Sequence, residues 1–193
     1  MLKPKTFIKP EEYLEVERKA EYKSEYYNGE MFALTGTSKE HSIISVNLTR
    51  ILSNALLDKP CQLFDSNMRV KVKESGLYTY PDLSVVCDEQ KFEDAELDTL
   101  LNPTLIIEIL SESTENYDRG IKFVNYRQIN SLKEYVLVSQ KNVRIEKYLR
   151  QDESKWLLTE ESDPEKTIEL SSINCSFVLK EVYKNIKFNQ ATN

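Results

Sequence analysis

The sequence has few of the residues from which zinc sites, disulfide frameworks and Ser-His-Asp triads are built. Its 193 residues include three cysteines, Cys61, Cys87 and Cys175, and one histidine, His41. The cysteines are odd in number and widely spaced, so a disulfide framework is not expected. Without a Cys-x-x-Cys pair or a second histidine, zinc sites and Ser-His-Asp triads lack their usual parts. The sequence therefore argues against all three kinds of site.

Long apolar runs and an excess of positive charge are also missing. No run of about 18 apolar residues occurs, which a membrane-spanning helix requires, and the first residues lack the apolar stretch of a signal peptide. We therefore expect a cytoplasmic protein with no membrane partner. The formal net charge of −6 argues against nucleic-acid binding by overall electrostatics, so any contact with nucleic acid should be local.

What is present is typical of an ordinary folded protein. Apolar residues make up 40% of the chain and charged residues 30%, which suits one hydrophobic core with a charged surface. A chain of 193 residues is near the size that a single core fills. We predict one domain over residues 1–193, with its core at about residues 38–150.

Three signals predict the elements of the N-terminal part. Pro10 precedes acidic residues in the manner of a first helical turn, which predicts a short helix. Asn28-Gly29 lies between two strand-like runs, which is the strongest short signal for a hairpin. A helix is predicted from Ser38 to about Leu57 because its apolar residues recur at helical spacing.

A local basic row follows this helix. Arg69, Lys71 and Lys73 alternate with apolar residues, which is the period of a half-buried strand with a basic outer face. We interpret the three as phosphate contacts. The acidic segment 88–98 is weakly patterned, and we interpret it as a solvated loop without chemistry.

The centre and the C-terminal part predict a mixed α/β (α+β) fold, a central sheet flanked by helices. Two short, almost continuously apolar runs are typical of strands covered on both faces. The second begins a strand, helix, strand unit over residues 105–139, predicted to be parallel and to lie beside the first run. The predicted segments are strands at 83–87, 105–110 and 134–139, a helix at 117–129, C-terminal β-hairpins from 143–149 and 156–159, and a closing helix at 178–186.

The chemistry is indicated by two acids. Glu108 stands inside the apolar run Leu-Ile-Ile-Glu-Ile-Leu, where an unpaired buried charge would cost several kcal/mol. Asp82 follows Pro81 at the start of the neighbouring predicted strand. Two carboxylates facing one cleft suit Mg²⁺ or Mn²⁺, because such a hard cation takes one or two carboxylates and fills its shell with water and phosphate oxygens.

Lys122 is the third candidate. Glu108 lies two or three residues before its strand ends, about 7–10 Å, and Lys122 lies about five residues into a helix that runs back, about 7.5 Å. Their levels therefore match. A lysine at this place can orient or deprotonate a metal-bound water, or stabilise charge on a phosphate.

The motifs that carry these residues resemble the Uma-two family, within the PD-(D/E)XK nuclease superfamily. The similarity also takes in Glu25 to Glu30, His41 and Tyr78 to Asp82, and it extends over nearly the whole chain. The motifs are Pro81-Asp82, Asn102-Pro-Thr-Leu-Ile-Ile-Glu108-Ile-Leu-Ser-Glu-Ser-Thr, Asp118-Arg-Gly-Ile-Lys122-Phe-Val-Asn-Tyr126 and Glu134-Tyr-Val-Leu-Val.

The resemblance implies a restriction-endonuclease-like core of helix, three strands, helix and strand, with Asp82 and Glu108 as metal ligands on adjacent strands. The superfamily pattern has a lysine two residues after the glutamate, where this chain has Leu110. A lysine moved to the following helix is the family's usual explanation, and it corresponds to Lys122. The resemblance also makes Glu30 a candidate extra acid.

Each candidate also has a structural interpretation. Glu108 and Lys122 can form a simple salt bridge, and a lone histidine such as His41 is more often structural than a contact to phosphate or water. Glu30 can be an ordinary exposed hairpin residue. Asp118 can favour the N-terminal end of its helix, while Tyr126 is expected to pack against the lysine stem.

The sequence thus predicts a metal-dependent endonuclease that cleaves DNA. The first alternative is a module of the same fold that binds nucleic acid or protein without catalysis, and the second is a buried ion-pair network at an oligomer interface. A homodimer is also expected, because the C-terminal hairpins would leave strand edges that need covering.

Overall fold

A computed structural model describes residues 7–188 of the chain. Its helices are few and its strands many. The helices are α1 (Pro10–Glu17), α2 (Lys39–Leu56), α3 (Glu115–Tyr117), α4 (Phe123–Tyr126) and α5 (Leu179–Val182), with a π-helical turn at Asp118–Lys122 that joins α3 to α4 and a 3₁₀ turn at Ser171–Ile173.

In the described part of the chain the strands form three sheets. The central sheet has six strands in the order β11-β10-β9-β8-β6-β3, a second has the order β2-β1-β5-β4-β7, and β12 and β13 form a hairpin. The strands are β1 (Ser24–Tyr27), β2 (Glu30–Ala33), β3 (Gln62–Asp65), β4 (Arg69–Val72), β5 (Leu77–Thr79), β6 (Leu83–Val86), β7 (Thr99–Leu100), β8 (Leu105–Leu110), β9 (Glu134–Ser139), β10 (Ile145–Arg150), β11 (Trp156–Glu161), β12 (Thr167–Leu170) and β13 (Cys175–Val178).

The middle of the central sheet follows the predicted pattern. β8 pairs in parallel with β9, and the helical segment is the connection between these two strands. On its other side, β8 pairs antiparallel with β6. With α2 before β3, the order helix, three strands, helix and strand is present, and the predicted mixed α+β architecture is confirmed. β8 and β9 are buried along their whole length, as expected for strands covered on both faces.

The long helix α2 covers one face of this sheet. Ser38 caps it by accepting a hydrogen bond from the backbone N–H of His41 at 3.1 Å, which satisfies a donor that the helix leaves unpaired. Its apolar stripe, Ile44, Leu48 and Leu52, is at most 1% exposed and belongs to the largest core cluster. The cap and the stripe fix the first turn of α2 over the sheet.

Two sequence-based predictions are corrected by the fold, and one is borne out. The predicted helix at 178–186 shortens to α5. The segment 88–98 is a mostly exposed loop, as predicted, that leads into β7, and its acids pair with arginines and a lysine. Cys61 and Cys87 form a disulfide although none was expected, because the pairing of Gln62 with Val86 places the two cysteines across from each other at the ends of β3 and β6.

The N-terminal helix and the hairpin are confirmed. Asn28 and Gly29 both have positive φ, at 50° and 80°, which the tight turn between β1 and β2 requires. β1 also pairs with β5, so the hairpin is part of the second sheet. Within residues 7–188, no helix combines the length and the apolar character needed to cross a membrane.

Candidate active site

Asp82 and Glu108 lie across from each other on neighbouring strands. Leu83 of β6 pairs with Ile107 of β8, and the same register places Asp82, one residue earlier, opposite Glu108, one residue later. Oδ2 of Asp82 accepts a hydrogen bond from the backbone N–H of Ile109 at 2.7 Å. Directly opposed residues of an antiparallel pair point to the same face, so the two carboxylates share one side of the sheet.

Lys122 reaches this place from the helical segment, as the sequence predicted. Its Nζ lies 3.0 Å from Oε1 of Glu108, 3.3 Å from Oε1 of Glu25 and 3.2 Å from Oδ1 of Asp118. The hydroxyl of Tyr126 donates to the same oxygen of Glu108 at 2.9 Å. Tyr126 is therefore a hydrogen-bond partner of the glutamate.

The π-helical turn positions Asp118 and Lys122. Both residues lie within it, are four positions apart and are buried. A π turn widens the helix by one residue and is often found at functional sites. Here Asp118 pairs with Lys122, so it does more than favour a helix end.

Glu25, and not Glu30, is the acid that the hairpin contributes. Glu25 is 4% exposed, accepts a hydrogen bond from the hydroxyl of Thr79 and lines the same cleft as Asp82 and Glu108. Glu30 pairs with Tyr27 in the hairpin ladder and does not line the cleft. The sequence feature that could have identified Glu25 is its place inside the strand Ser-Glu-Tyr-Tyr, because an acid in a strand that becomes buried needs a partner.

His41 contacts Asp82 directly. Its Nε2 lies 3.1 Å from Oδ1 of Asp82, and its place in the first turn of α2 is fixed by the Ser38 cap. Asp82 is therefore held at both oxygens, by His41 and by the N–H of Ile109. His41 is thus a positioning partner of the carboxylate.

The site carries more buried negative than positive charge. Four carboxylates, Glu25, Asp82, Glu108 and Asp118, lie around Lys122 and His41. Burial raises the pKa of the Glu108 carboxyl to about 8, because the lowering by Lys122 is opposed by the other three acids. Burial alone would lower the pKa of Lys122, but the carboxylates outweigh it and raise that pKa above its ordinary value. The lysine is thus held as a cation, while the Glu108 carboxyl retains a proton near neutral pH.

This retained proton predicts how stability depends on pH. A carboxyl whose pKa is about 8 in the folded state and near 4.5 when unfolded binds more protons in the folded state between these values, so the free energy of unfolding should fall as pH rises across that window. Urea denaturation in EDTA should show this fall, and Glu108→Gln, which cannot titrate, should flatten it. An unchanged slope in Glu108→Gln would contradict the assignment.

The predicted basic row is not an accessible phosphate-binding face. Arg69 is 2% exposed and lies 2.9 Å from Asp98, and Lys71 pairs with Glu93. Of the three, only Lys73 is exposed. The alternation correctly indicated a strand, but the acids of the segment 88–98 cover its basic face.

The chain is similar to a described protein family and to proteins of known sequence. Residues 10–180 match the family described as "Uma2: Putative restriction endonuclease". The chain belongs to the Uma2 family. Two uncharacterized proteins of Synechocystis sp. are similar to it: slr1290 is 37% identical over 181 residues, which cover 94% of both chains, and sll1609 is 39% identical over 160 residues, which cover 83% of this chain and 90% of the other.

A solved structure supports the Uma2 fold. The crystal structure of "a putative nuclease belonging to DUF820" from Anabaena variabilis superposes with a TM-score of 0.73 and 17% sequence identity, covering 91% of this chain and 97% of the other. At this identity the likeness shows the fold. This Uma2 chain therefore shares the fold of that protein, with the restriction-endonuclease-like core that the resemblance implied.

Proposed function

We propose that this protein is a metal-dependent nuclease that hydrolyses phosphodiester bonds in DNA, with Asp82 and Glu108 holding Mg²⁺ or Mn²⁺. The observation that carries the proposal is the pair of facing carboxylates in a cleft where buried acids outnumber cations. Such an excess is costly to bury, and a divalent cation offsets it. A nucleic-acid substrate accords with the nuclease family.

The two carboxylates fit magnesium better than a metal whose ligands all come from protein side chains. Across residues 7–188 no group of three or more histidine, cysteine, aspartate or glutamate side chains is arranged to hold a metal ion. Mg²⁺ commonly takes one or two carboxylates and keeps its other positions for water and phosphate. Asp82 and Glu108 supply that number, both with oxygen, the ligand that a hard cation prefers.

The surrounding residues have separate tasks in this proposal. When bound, the cation supplies an activated water and neutralises charge on the phosphate. His41 and the N–H of Ile109 orient the Asp82 carboxylate, and Tyr126 orients that of Glu108. Lys122, held as a cation, donates hydrogen bonds to the water or to the phosphate and is a poor base. Arg69 and Lys71 have no part, because their charges are used in ion pairs.

A binding module without catalysis is the second candidate. The residue two positions after Glu108 is Leu110, and Lys122 contacts three carboxylates. A lysine held so firmly by acids is less free to move towards a substrate. This observation favours a module that keeps the fold and the cleft but has weak or no catalytic activity.

Metal titration followed by a cleavage assay tests the proposal. Calorimetry with Mg²⁺ and Mn²⁺ should show one site, and the metal-loaded protein should cut at least one member of a panel of single-stranded, tailed and double-stranded DNA substrates, with no cutting in EDTA. Metal binding without cutting would favour the binding module. No metal binding would leave the acids as a structural network.

Sedimentation over a wide concentration range tests the predicted homodimer, which monomer alone would contradict.

A further inference from the structure

The acids and Lys122 lie in a cleft of about 760 Å³. It is lined by the loop 34–38, the first two turns of α2 and the loop 111–114. Glu108 and Lys122, at 3% and 6% exposed, are among its most buried lining residues. A phosphate that reacts there has to enter the cleft rather than rest on the protein surface.

The cleft offers almost no positive charge to a nucleic acid. Among the described residues that line it, five are acidic, two are lysines and none is an arginine. The two lysines are already engaged: Lys122 with its carboxylates, and Lys23 with the carbonyl oxygen of Ser66 and the side chain of Asn67, at 2.8 and 2.7 Å. Neutral hydroxyls make up most of the remaining polar lining.

This lining is poorly suited to a continuous duplex. Double-stranded DNA carries one charge per about 1.7 Å of its axis, and proteins that bind it commonly neutralise about 6–10 phosphates with lysine and arginine. The acids at this cleft would repel phosphates other than those that contact the bound cation. Hydroxyl groups can hold a flexible strand by neutral hydrogen bonds, which do not require lysine or arginine to neutralise many phosphates.

We propose that the cleft takes a single DNA strand, as a free end, a flap or an unpaired segment, and excludes the intact duplex. The inference rests on the proposed nuclease function, whose substrate class it specifies. Few phosphates are neutralised when the strand binds. The affinity should therefore depend only weakly on salt.

The salt dependence of cleavage and of binding tests the inference. A labelled single strand, the same sequence as a blunt duplex, and a duplex with a single-stranded tail are compared in Mg²⁺. For single strands the logarithm of the binding constant falls with a slope of about −0.7 per neutralised phosphate. If one to three phosphates are neutralised, kcat/KM on the strand and on the tail should fall with a slope of about −0.7 to −2. The blunt duplex should be a poor substrate.

Two tryptophan variants on one helix test whether the strand occupies the cleft. Ser42 is exposed and lines the cleft, and Ser53 is exposed eleven residues later on α2 but does not line it. Eleven residues bring Ser53 back to nearly the same face, about 16 Å along the helix. Ser42→Trp should weaken the strand's affinity, measured by fluorescence anisotropy, about tenfold or more, the scale of one lost nucleotide contact. Ser53→Trp should leave it unchanged.

The outcomes separate the inference from the proposed function. Cleavage of the blunt duplex as fast as the single strand, or a steep slope, would overturn the inference while leaving the nuclease intact. If nothing is cleaved, the nuclease function fails, but the inference about the strand can still be tested by fluorescence anisotropy with the same oligonucleotides. Selective binding of the single strand, weakened by Ser42→Trp, would support the inference. Equal or preferred binding of the duplex would overturn it.

Discussion

Asp82→Asn is expected to abolish both the binding of Mg²⁺ and the cleavage of DNA. The substitution keeps the size of the side chain but removes one of the two charges that face the proposed cation. At the short distance of a metal ligand in a buried cleft, one lost charge weakens binding by several kcal/mol. We expect metal affinity to fall by at least about 100-fold and cleavage to become undetectable.

The fold should survive this change, because an asparagine oxygen can still accept the N–H of Ile109. The matched control is Asp58→Asn, the same chemical change at an exposed position after α2. It should bind metal and cleave like the parent. Calorimetry and a cleavage assay on a single-stranded oligonucleotide measure the two effects, and Asp82→Asn with parental metal affinity would remove the aspartate from the site.

The sequence predicted the positions of Glu108 and Lys122 because the signals for both residues come from short stretches of the chain. An acid within a continuous apolar run has to be compensated, and this requirement singled out Glu108 without knowledge of its partner. The strand, helix, strand unit then brought Lys122 back to the same level by simple geometry. Both inferences use residues close in sequence, and the contact of 3.0 Å between the two side chains agrees with them.

The remaining acids depended on contacts that local patterns do not contain. Glu25 reaches the cleft on a strand that pairs with β5, far along the chain. Asp118 turns inward through a π turn, which the spacing of apolar residues does not reveal. Glu30, the candidate acid that the resemblance gave in the same hairpin, pairs with Tyr27 in the ladder and is not among the described residues that line the cleft.

The basic row shows the same limit. Its alternation gave the strand correctly, but burial of Arg69 follows from ion pairing with Asp98, which lies 29 residues later. The disulfide between Cys61 and Cys87 likewise needs the register of β3 against β6. Short strands whose partners are distant carry too little pattern to fix their neighbours.

Lys122→Ala is expected to reduce cleavage by roughly 100-fold or more, the usual scale of a positioned acid–base or hydrogen-bonding group. Metal binding should survive, because removing a neighbouring cation relieves repulsion with Mg²⁺, so the affinity should stay level or rise slightly. Stability without metal should fall by about 3–5 kcal/mol, because three buried carboxylates lose their counter-ion. Saturating Mg²⁺ should restore part of that loss.

Lys122→Arg separates catalysis from folding. It keeps the charge among Glu25, Glu108 and Asp118, so the protein should stay folded, but a broad guanidinium fork replaces a compact ammonium and should restore cleavage poorly. Lys141→Ala, at a lysine 52% exposed, is the control and should cleave like the parent. Single-turnover rates in saturating metal measure the chemical step. If Lys122→Ala, folded and metal-loaded, cleaves as fast as the parent, then Lys122 is a structural counter-ion, and the role proposed for it in the reaction is wrong.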